Sequence, residues 1–365
     1  MSFFDEPNQS YFDNAARRPR RASGFISLAL FSATLLGLVF LPTPYVIEQP
    51  GPVFNVLSVE KGEPVISVAN AKTYETKGDL DLLTVRVLGS RENTPSWLEL
   101  GLAWLDPSQV ITPLDAIFPP GQSFQQAEVE SAAMMEQSQQ DAIAVALKKL
   151  GYQVPFEVYV SEVVKNAPAS GILRATDFIK TANGTPIHSV AQLRAVLNES
   201  AGAEVAIQIE RAGQLQTVKM KPTQNEAGDY RIGVLAGIKY DFPIQVDLKL
   251  SDVGGPSGGM IFALGIYDVL TPGYLVGGEK IAGTGTIDAN GNIGPIGGMR
   301  QKLYGAKNAG AKYFLAPADN CIDVVGNIPS GLQVFKVSTF DDALKVANAI
   351  GSGGNLSALP TCSAN

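Results

Sequence analysis

An uninterrupted apolar segment near the N-terminus places the strongest constraint on how this chain can fold. Residues 24–41 read GFISLALFSATLLGLVFL, and no charged residue occurs between Ala22 and Ile47. As a helix, this segment would be about 27 Å long, close to the roughly 30 Å of a bilayer's hydrocarbon core. Four arginines precede it: Arg17, Arg18, Arg20 and Arg21. We therefore predict a single-pass protein of the cell membrane, with a transmembrane helix over 24–41, a basic cytoplasmic tail over 1–23 and the bulk of the chain outside the cytoplasm.

A cleaved signal peptide is the alternative interpretation of this segment. The apolar part of a signal peptide is normally about 7–15 residues long and ends at an A-x-A-like site. Here the apolar run is longer and is followed by LPTPYVIEQPGP, so a retained anchor is favoured. The prolines in that stretch indicate a stiff spacer, and we assign residues 42–56 to a linker.

The composition limits which chemistry the chain can perform. Of its residues, 45% are hydrophobic and 17% are charged, enough for packed cores. The net charge of −7 argues against a nucleic-acid partner. His188 is the one histidine of the chain, which excludes a metal site built on several histidines. We therefore expect no metal and no cofactor.

Cys321 and Cys362 lack the CxxC spacing of a thiolate metal site. In an oxidising compartment the two could form a disulfide. Cys362, however, lies in the segment GSGGNLSALPTCSAN, whose composition is typical of a flexible tail. We therefore expect a flexible tail over 351–365 and two unpaired cysteines.

Residues 152–224 differ in pattern from the chain on either side. The stretch SVAQLRAVLNE predicts a helix with Ser189 as its N-cap. The preceding stretch NAPASGILRATDFIKTANGTPI combines a small-residue turn, an L-x-x-G-D-x-I-like pattern and a strand that ends in N-G, with Ala175 where glycine is frequent ahead of Asp177. This pattern resembles a bacterial PDZ domain. The resemblance implies binding of an extended peptide at a sheet edge, while a spacer domain without a ligand remains an alternative.

Ser257 lies in GPSGG (Gly255 to Gly259), which matches the G-x-S-x-G pattern of serine hydrolases. An α/β-hydrolase needs a histidine after its serine, and His188 precedes Ser257. A serine hydroxyl still needs a base, and a lysine can act as one when burial lowers its pKa. Lys302 borders the apolar side of the helix predicted over MRQKLYGAKNAG, although a lysine in such a position usually extends into water.

Three motifs occur in order: GGPSGG, AGTGTID (Ala282 to Asp288) and GNIGPIGGMRQKLYGAKNAGAKYFLAP. Together they resemble the proteolytic domain of the Lon family of Ser–Lys proteases. The resemblance implies that Ser257 is the nucleophile and Lys302 the general base, with Thr284 holding the lysine. Gly255 and Gly258 would support the serine turn. Because alanine is typical at the position of Gly258, we expect this glycine to loosen the turn slightly.

The stretches LDLLTVRVLG and MMEQSQQDAIAVALKKLG are similar to the part of Lon that precedes the catalytic serine. We therefore predict an α+β protein whose PDZ-like module, over 152–224, is inserted in or precedes a Lon-type α/β domain. That domain would comprise residues 57–151 and 225–350. This arrangement resembles the membrane-anchored, PDZ-containing Lon-like proteases of bacteria, and the resemblance implies protein substrates and assembly into a homo-hexamer.

ATP is not expected to take part. No G-x-x-x-x-G-K-[ST] motif occurs, because GYLVGGEK (Gly273 to Lys280) has glutamate where that motif needs lysine. The predicted enzyme is thus an ATP-independent serine endopeptidase that acts on unfolded or small proteins outside the cytoplasm or in the membrane. A catalytically silent PDZ adaptor is the alternative. A third hypothesis, an acylating enzyme built on SVEK (Ser58 to Lys61), lacks the S-D-N and K-T-G motifs of its class.

Overall fold

The computed structural model describes residues 20–60, 62–121, 124–225, 228–250 and 253–363. They form two compact units. The first contains residues 20–49 and 86–121, and the second contains the remaining described residues. The predicted mixture of helices and strands is confirmed. Strands β1 (Tyr45–Asn55) and β5 (Asp79–Leu88) have residues in both units.

The first unit is built on helix α1 (Arg20–Phe40) and the short helix α2 (Trp97–Trp104). A capping box starts α2, because Ser96 and Glu99 each bind the other's backbone N–H. The start of β1 pairs antiparallel with β6 (Val110–Pro113), and the one-turn helix α3 (Leu114–Ile117) follows. The buried apolar residues of this unit are few: Ile47, Leu100 and Ala103.

Helix α1 contains most of the segment for which we predict a membrane span. Several of its large apolar side chains are exposed, among them Phe25, Leu30 and Leu36. Within the described part of the chain, no helix reaches the length and hydropathy that crossing a bilayer requires. The span over 24–41 therefore stays a prediction. Of the predicted basic tail over 1–23, residues 1–19 lie outside the described residues.

The predicted linker over 42–56 is wrong, because most of it is strand β1. Proline in a strand is tolerated where its missing N–H faces a side without a partner strand. β6 pairs only with residues 45–48 of β1. Pro50 and Pro52 lie beyond that pairing, so the strand can include them.

A parallel sheet forms the centre of the second unit, with strand order β20-β19-β16-β5-β1. Its further strands are β16 (Lys280–Gly283), β19 (Tyr313–Pro317) and β20 (Gln333–Val337). The four strands β5, β16, β19 and β20 run parallel to one another. Successive side chains of a strand are buried on opposite faces of the sheet, as Leu82 and Leu83 of β5 are. Such a doubly buried sheet needs helices on both sides.

The helices of the second unit cover both faces of this sheet. On one face lie α4 (Phe124–Lys149), α6 (Gly259–Leu270) and α9 (Phe340–Gly351), which share one hydrophobic core. The other face is covered by α7 (Met299–Asn308) and α8 (Cys321–Val324). Short ladders complete this part of the chain: β2 (Val59–Glu60) with β3 (Glu63–Pro64), β4 (Ile66–Ala69) with β15 (Gln245–Leu248), and β17 (Thr286–Ile287) with β18 (Ile293–Gly294).

An antiparallel sheet with its own core occupies the middle of the chain, with strand order β11-β10-β8-β7-β14. Its elements are β7 (Phe156–Val163), β8 (Phe178–Ala182), β9 (Thr185–Pro186), α5 (Val190–Glu199), β10 (Val205–Arg211), β11 (Gln214–Met220), β12 (Thr223–Gln224), β13 (Tyr230–Arg231) and β14 (Val234–Tyr240). Ser189 caps α5, which confirms that prediction. The predicted end of this module at 224 is wrong, because β14 pairs with β7 along its whole length. We call residues 156–240 the antiparallel module.

The C-terminal tail departs from both expectations made for it. Cys321 and Cys362 form a disulfide, whereas the sequence led us to expect unpaired cysteines. The tail is also packed, because Leu359 is buried in the main core and the Lys336 N–H bonds the Pro360 carbonyl. These contacts and the disulfide hold Cys362 next to α8.

Candidate active site

Three predicted site residues converge at the carboxyl end of strand β16. Ser257 lies in a single 3₁₀ turn (Pro256–Gly258) that leads directly into α6. Thr284 follows the last residue of β16, and Lys302 is in the first turns of α7. The two helices belong to opposite faces of the sheet, so their side chains can meet only beyond the end of a strand. Ligand sites of parallel sheets commonly lie at this edge.

The amine of Lys302 lies within hydrogen-bond distance of both hydroxyl groups. Its Nζ is 2.9 Å from Oγ of Ser257 and 3.0 Å from Oγ1 of Thr284. The Thr284 hydroxyl donates to the backbone carbonyl of Ser257 at 3.0 Å. Thr284 can therefore only accept from the amine. A neutral Lys302 directs one N–H to Thr284, which leaves its lone pair available for the Ser257 hydroxyl proton.

Burial makes the neutral form of Lys302 accessible near neutral pH. The side chain is 3% exposed, and no carboxylate of the described residues lies within 4 Å of its amine. Desolvation lowers the pKa of Lys302 from its ordinary 10.5 to about 7. A base with a pKa close to the working pH is well suited to proton transfer.

Helix α4 holds the serine turn from the side opposite Thr284. The Ser138 hydroxyl donates to the Pro256 carbonyl at 2.8 Å, and the Gly255 N–H donates to the Ser131 carbonyl at 3.0 Å. The sequence analysis missed both serines, since they lie in a helix more than a hundred positions from the turn. Their spacing of seven residues puts them on one face of α4, and this is the only signal the sequence carries.

The glycines of the turn are required by local geometry. Gly255 has φ of 80°, a conformation that L-residues with side chains rarely adopt. At Gly258, a Cβ atom would lie 2.4 Å from Cδ1 of Leu82 and 3.2 Å from the ring of Phe262. The expectation that Gly258 loosens the turn is therefore wrong. Leu82 occupies the space that an alanine side chain would need, and the turn is closely packed.

The remaining candidate groups lie elsewhere. His188 is exposed, ahead of α5 in the antiparallel module. Ser58 donates its hydroxyl to the Asn55 carbonyl at 2.7 Å, as in an ordinary turn, and Lys61 is outside the described residues. In the part of the chain that the structure describes, no cluster of acidic, cysteine or histidine side chains could hold a metal ion.

Comparison with protein families matches residues 169–349, just under half of the chain, to the Lon protease (S16) C-terminal proteolytic domain. Curated relatives include the Lon protease of Azospirillum brasilense, which is 38% identical over 112 residues. That alignment covers 30% of this chain and 14% of the relative. The Lon protease of Lachnoclostridium phytofermentans is 35% identical over 122 residues, which cover 33% and 15%. The chain therefore spans about a seventh of the length of these relatives, and the matches support a peptidase.

Solved structures similar to this chain include PDZ domains of SdrC-like proteins from two species of Listeria. The domain from Listeria monocytogenes is 24% identical, and the alignment covers 22% of this chain and 86% of the domain's chain, with a TM-score of 0.21. The domain from Listeria innocua is 28% identical, and the alignment covers 22% of this chain and 92% of the domain's chain, with the same TM-score.

Proposed function

We propose that this chain is a serine endopeptidase of the Lon type, with Ser257 as the nucleophile and Lys302 as the general base. One observation carries the proposal: a buried amine, with its pKa lowered to about 7, lies 2.9 Å from the Ser257 hydroxyl. Nucleophile and base within hydrogen-bond reach are the signature of covalent catalysis by serine. The match of residues 169–349 to a Lon proteolytic domain supports the same reaction class.

The reaction follows from these positions. Neutral Lys302 takes the proton of the Ser257 hydroxyl as Oγ attacks the carbonyl carbon of a peptide bond. The resulting ammonium then delivers this proton to the leaving amine, and an acyl-enzyme forms. Water, deprotonated by the neutral amine, attacks the ester carbonyl and releases Ser257. Thr284 holds the Lys302 nitrogen beside Oγ in both protonation states, because its own proton is committed to the Ser257 carbonyl and it can only accept from the lysine.

The N-terminus of α6 stabilises the oxyanion in this mechanism. Ser257 lies one 3₁₀ turn ahead of that helix, where backbone N–H groups and the helix dipole favour negative charge. Groups fixed in place before the reaction contribute most when water is excluded. The buried setting of Lys302 and Thr284 supplies such exclusion on one side of the serine.

The proposal includes the surroundings in which the enzyme acts. The chain is tethered to the cell membrane through residues 24–41, with its N-terminus in the cytoplasm and its catalytic part outside. The exposed apolar side chains of α1 support the tether, and the Cys321–Cys362 disulfide supports an oxidising compartment. Without a nucleotide motor, the enzyme cuts unfolded or small proteins, and it assembles as a homo-hexamer.

In this proposal the antiparallel module selects substrates. Among the described strands, β14 pairs on one side only, with β7. A strand with one unpaired side can accept an extended peptide as an additional strand. The module would thereby hold a segment of the substrate while another segment reaches Ser257.

Peptide cleavage by the purified chain tests the catalytic assignment. Ser257→Ala and Lys302→Ala should each abolish cleavage, while Lys307→Ala should leave it unchanged. Lys307 is a suitable control because it is exposed on the same helix. A serine-directed covalent probe should label Ser257 and no other residue. Full cleavage by either active-site variant would overturn the proposal, and a wild-type chain that binds peptides without cleaving them would establish the adaptor instead.

A further inference from the structure

Helix α2 carries an apolar surface that the described residues of its unit leave exposed. The chain has two tryptophans, and both are in this helix, at its first and last residues. Trp104, Leu105 and Leu102 are 81%, 73% and 61% exposed, and Trp97 and Leu98 are exposed as well. Five large apolar side chains within nine residues form an exposed patch of a kind that usually marks an interaction site. We call these five residues the α2 surface.

The charges near this surface indicate what it binds. Between residues 93 and 121 there is no lysine or arginine. The carboxylates of Glu99 and Asp106 accept hydrogen bonds from the backbone N–H groups of Ser96 and Ser108, respectively. They are thus held against their own backbone. The five side chains themselves carry no charge, although the exposed Glu99 carboxylate lies in the same helix. An apolar surface with tryptophan at both ends is typical of a segment at a membrane–water interface, where the indole ring has an apolar body and a polar N–H.

The position of α2 in the chain's own structure points to the same partner. The Thr43 hydroxyl donates to the Pro95 carbonyl at 2.8 Å, and the Thr94 hydroxyl accepts from the Thr43 N–H at 3.2 Å. Pro42 and Ser96 form a β-bridge. The residues that start α2 are therefore fixed to those that follow α1. A tether through α1 places the start of α2 at the level where that tether leaves the lipid.

We propose that the α2 surface is a second membrane contact, seated in the headgroup region of a lipid bilayer. This inference rests on the proposed tether, because α1 brings α2 to the bilayer. A second copy of the chain is a poorer occupant. An eight-residue helix is about 12 Å long, and a stable protein interface needs roughly 800 Å² from each partner. Binding to a bilayer needs no such minimum contact area, because each side chain can insert into the lipid independently of the others.

Tryptophan fluorescence of the full chain in phosphatidylcholine vesicles tests this contact directly, because both tryptophans belong to the α2 surface. We expect emission at shorter wavelength than in the absence of lipid. Lipids brominated near the headgroup should quench the emission more strongly than lipids brominated at the chain ends. Trp97→Phe and Trp104→Phe then assign the quenching to each position.

A double variant removes the contact while keeping the tether. Leu102→Glu with Leu105→Glu should abolish the lipid quenching, yet the chain should still float with vesicles through α1. Ile322→Glu is the matched control, since Ile322 is an exposed aliphatic side chain of α8, and it should leave quenching unchanged. Cleavage of a soluble peptide should be the same in all three chains, which also shows that they are folded.

The outcomes separate this inference from the proposed function. A chain that floats with vesicles but shows no quenching by brominated lipid overturns the membrane contact of α2 and leaves the tether standing. A chain that does not float overturns the tether and this contact together, while peptide cleavage still reports on Ser257. An emission shift that occurs only when an unfolded protein is added would assign the α2 surface to substrate binding. A shift that appears without lipid as the chain concentration rises would assign it to contact with a second copy.

Discussion

Lys302, beside Ser257, and Asp177, in the antiparallel module, are both buried ionisable side chains, and their surroundings are opposite. In the module, Asp177 is 1% exposed and its carboxylate accepts two hydrogen bonds from Arg211, both of 2.6 Å. Beside Ser257, Lys302 is almost as deeply buried, and its hydrogen-bond partners are the neutral hydroxyl groups of Ser257 and Thr284. Asp177 therefore has a counter-charge, whereas among the described residues no ion pair includes Lys302.

The pKa values follow from this difference. Burial alone would raise the pKa of Asp177, but hydrogen bonds from Arg211 and from the Arg174 N–H outweigh it and the pKa is lowered. For Lys302, burial is the single cause, and it lowers the pKa to about 7. The paired carboxylate is thus fixed in its charged form, while the unpaired amine can gain and lose a proton near neutral pH. Of the two, only the second is useful as a base.

The largest effect should come from removing the unpaired group. Lys302→Met keeps the volume and apolar stem of the side chain and removes the amine, so we expect peptide cleavage to fall by about 10³ or more. The fold should become more stable, by about 1–4 kcal/mol at pH 7, because keeping a buried lysine neutral at that pH costs free energy. Steady-state kinetics and urea unfolding measure the two changes.

Lys307→Met is the control for that comparison, as an exposed lysine of the same helix. It should change neither quantity. A Lys302→Met chain that is clearly less stable than wild type would show that the amine stabilises the fold. This would contradict the view that the buried amine, which has no counter-charge beside it, costs stability.

Removing one partner of the paired group should reverse the pattern. Arg211→Met leaves the Asp177 carboxylate buried without a counter-charge, and we expect a loss of about 3–5 kcal/mol in the stability of the antiparallel module. Hydrogen exchange of β8 and β10 would report this loss. Cleavage of a short soluble peptide should be retained, because Ser257 and Lys302 are in the other part. Arg194→Met, at an exposed position of α5, should leave the stability of the module unchanged. Equal destabilisation by both variants would contradict the stabilising role of the Asp177–Arg211 pair.

Acidification should separate the two sites by pH. A base with a pKa of about 7 loses activity about tenfold for each pH unit below that value, so cleavage at pH 5 should be about a hundredfold slower than at neutral pH. The Asp177–Arg211 pair should be unaffected there, since the lowered pKa of Asp177 keeps its stabilisation present above about pH 4. A rate profile that is flat between pH 5 and 8 would exclude Lys302 as the base.

Stability should also depend on pH with a defined sign. Between about pH 7 and 10.5 the unfolded chain binds more protons at residue 302 than the folded chain does. Stability therefore rises with pH across this window. The advantage of Lys302→Met over wild type should shrink correspondingly as the pH is raised, and denaturant unfolding at pH 7 and pH 9.5 would measure it.

The sequence was sufficient to identify three side chains that the structure brings together in the candidate site, and the reason is local. Ser257, Thr284 and Lys302 each lie in a short glycine-containing motif, and the structure brings all three side chains together. The helix capped by Ser189 could be predicted for the same reason, since a cap and an amphipathic pattern are local signals.

Features that depend on distant pairing could not be predicted in this way. β14 reads like any short strand, and only its hydrogen bonds to β7 assign it to the antiparallel module. The disulfide joins Cys321 to a tail that packs on the core through Leu359. The packing of Gly258 required Leu82, a residue on another strand, to occupy the space beside it. In each case the deciding contact joins residues that no local pattern connects.

The smallest effect should come from the contact that sequence analysis missed. Ser138→Ala removes the hydrogen bond to the Pro256 carbonyl, which then keeps the bond from the Gly259 N–H. A hydrogen bond of this kind contributes about 1 kcal/mol, so we expect kcat to fall roughly five- to tenfold. Since the bond positions the serine turn and touches no substrate, KM should change little. The apparent pKa of about 7 should be retained, because the environment of Lys302 is untouched.

Ser161→Ala provides the matched control for this variant. Ser161 also donates its hydroxyl to a backbone carbonyl, that of Leu235, but it does so within the antiparallel module. The two variants lose the same kind of bond, so an equal loss of general stability would affect both. A fall in kcat that is confined to Ser138→Ala would show that α4 positions the nucleophile. Equal kinetics in the two variants would mean that the other bonds suffice to hold Ser257, namely those of Thr284 and Gly285 to the Ser257 carbonyl and that of the Gly255 N–H to the Ser131 carbonyl.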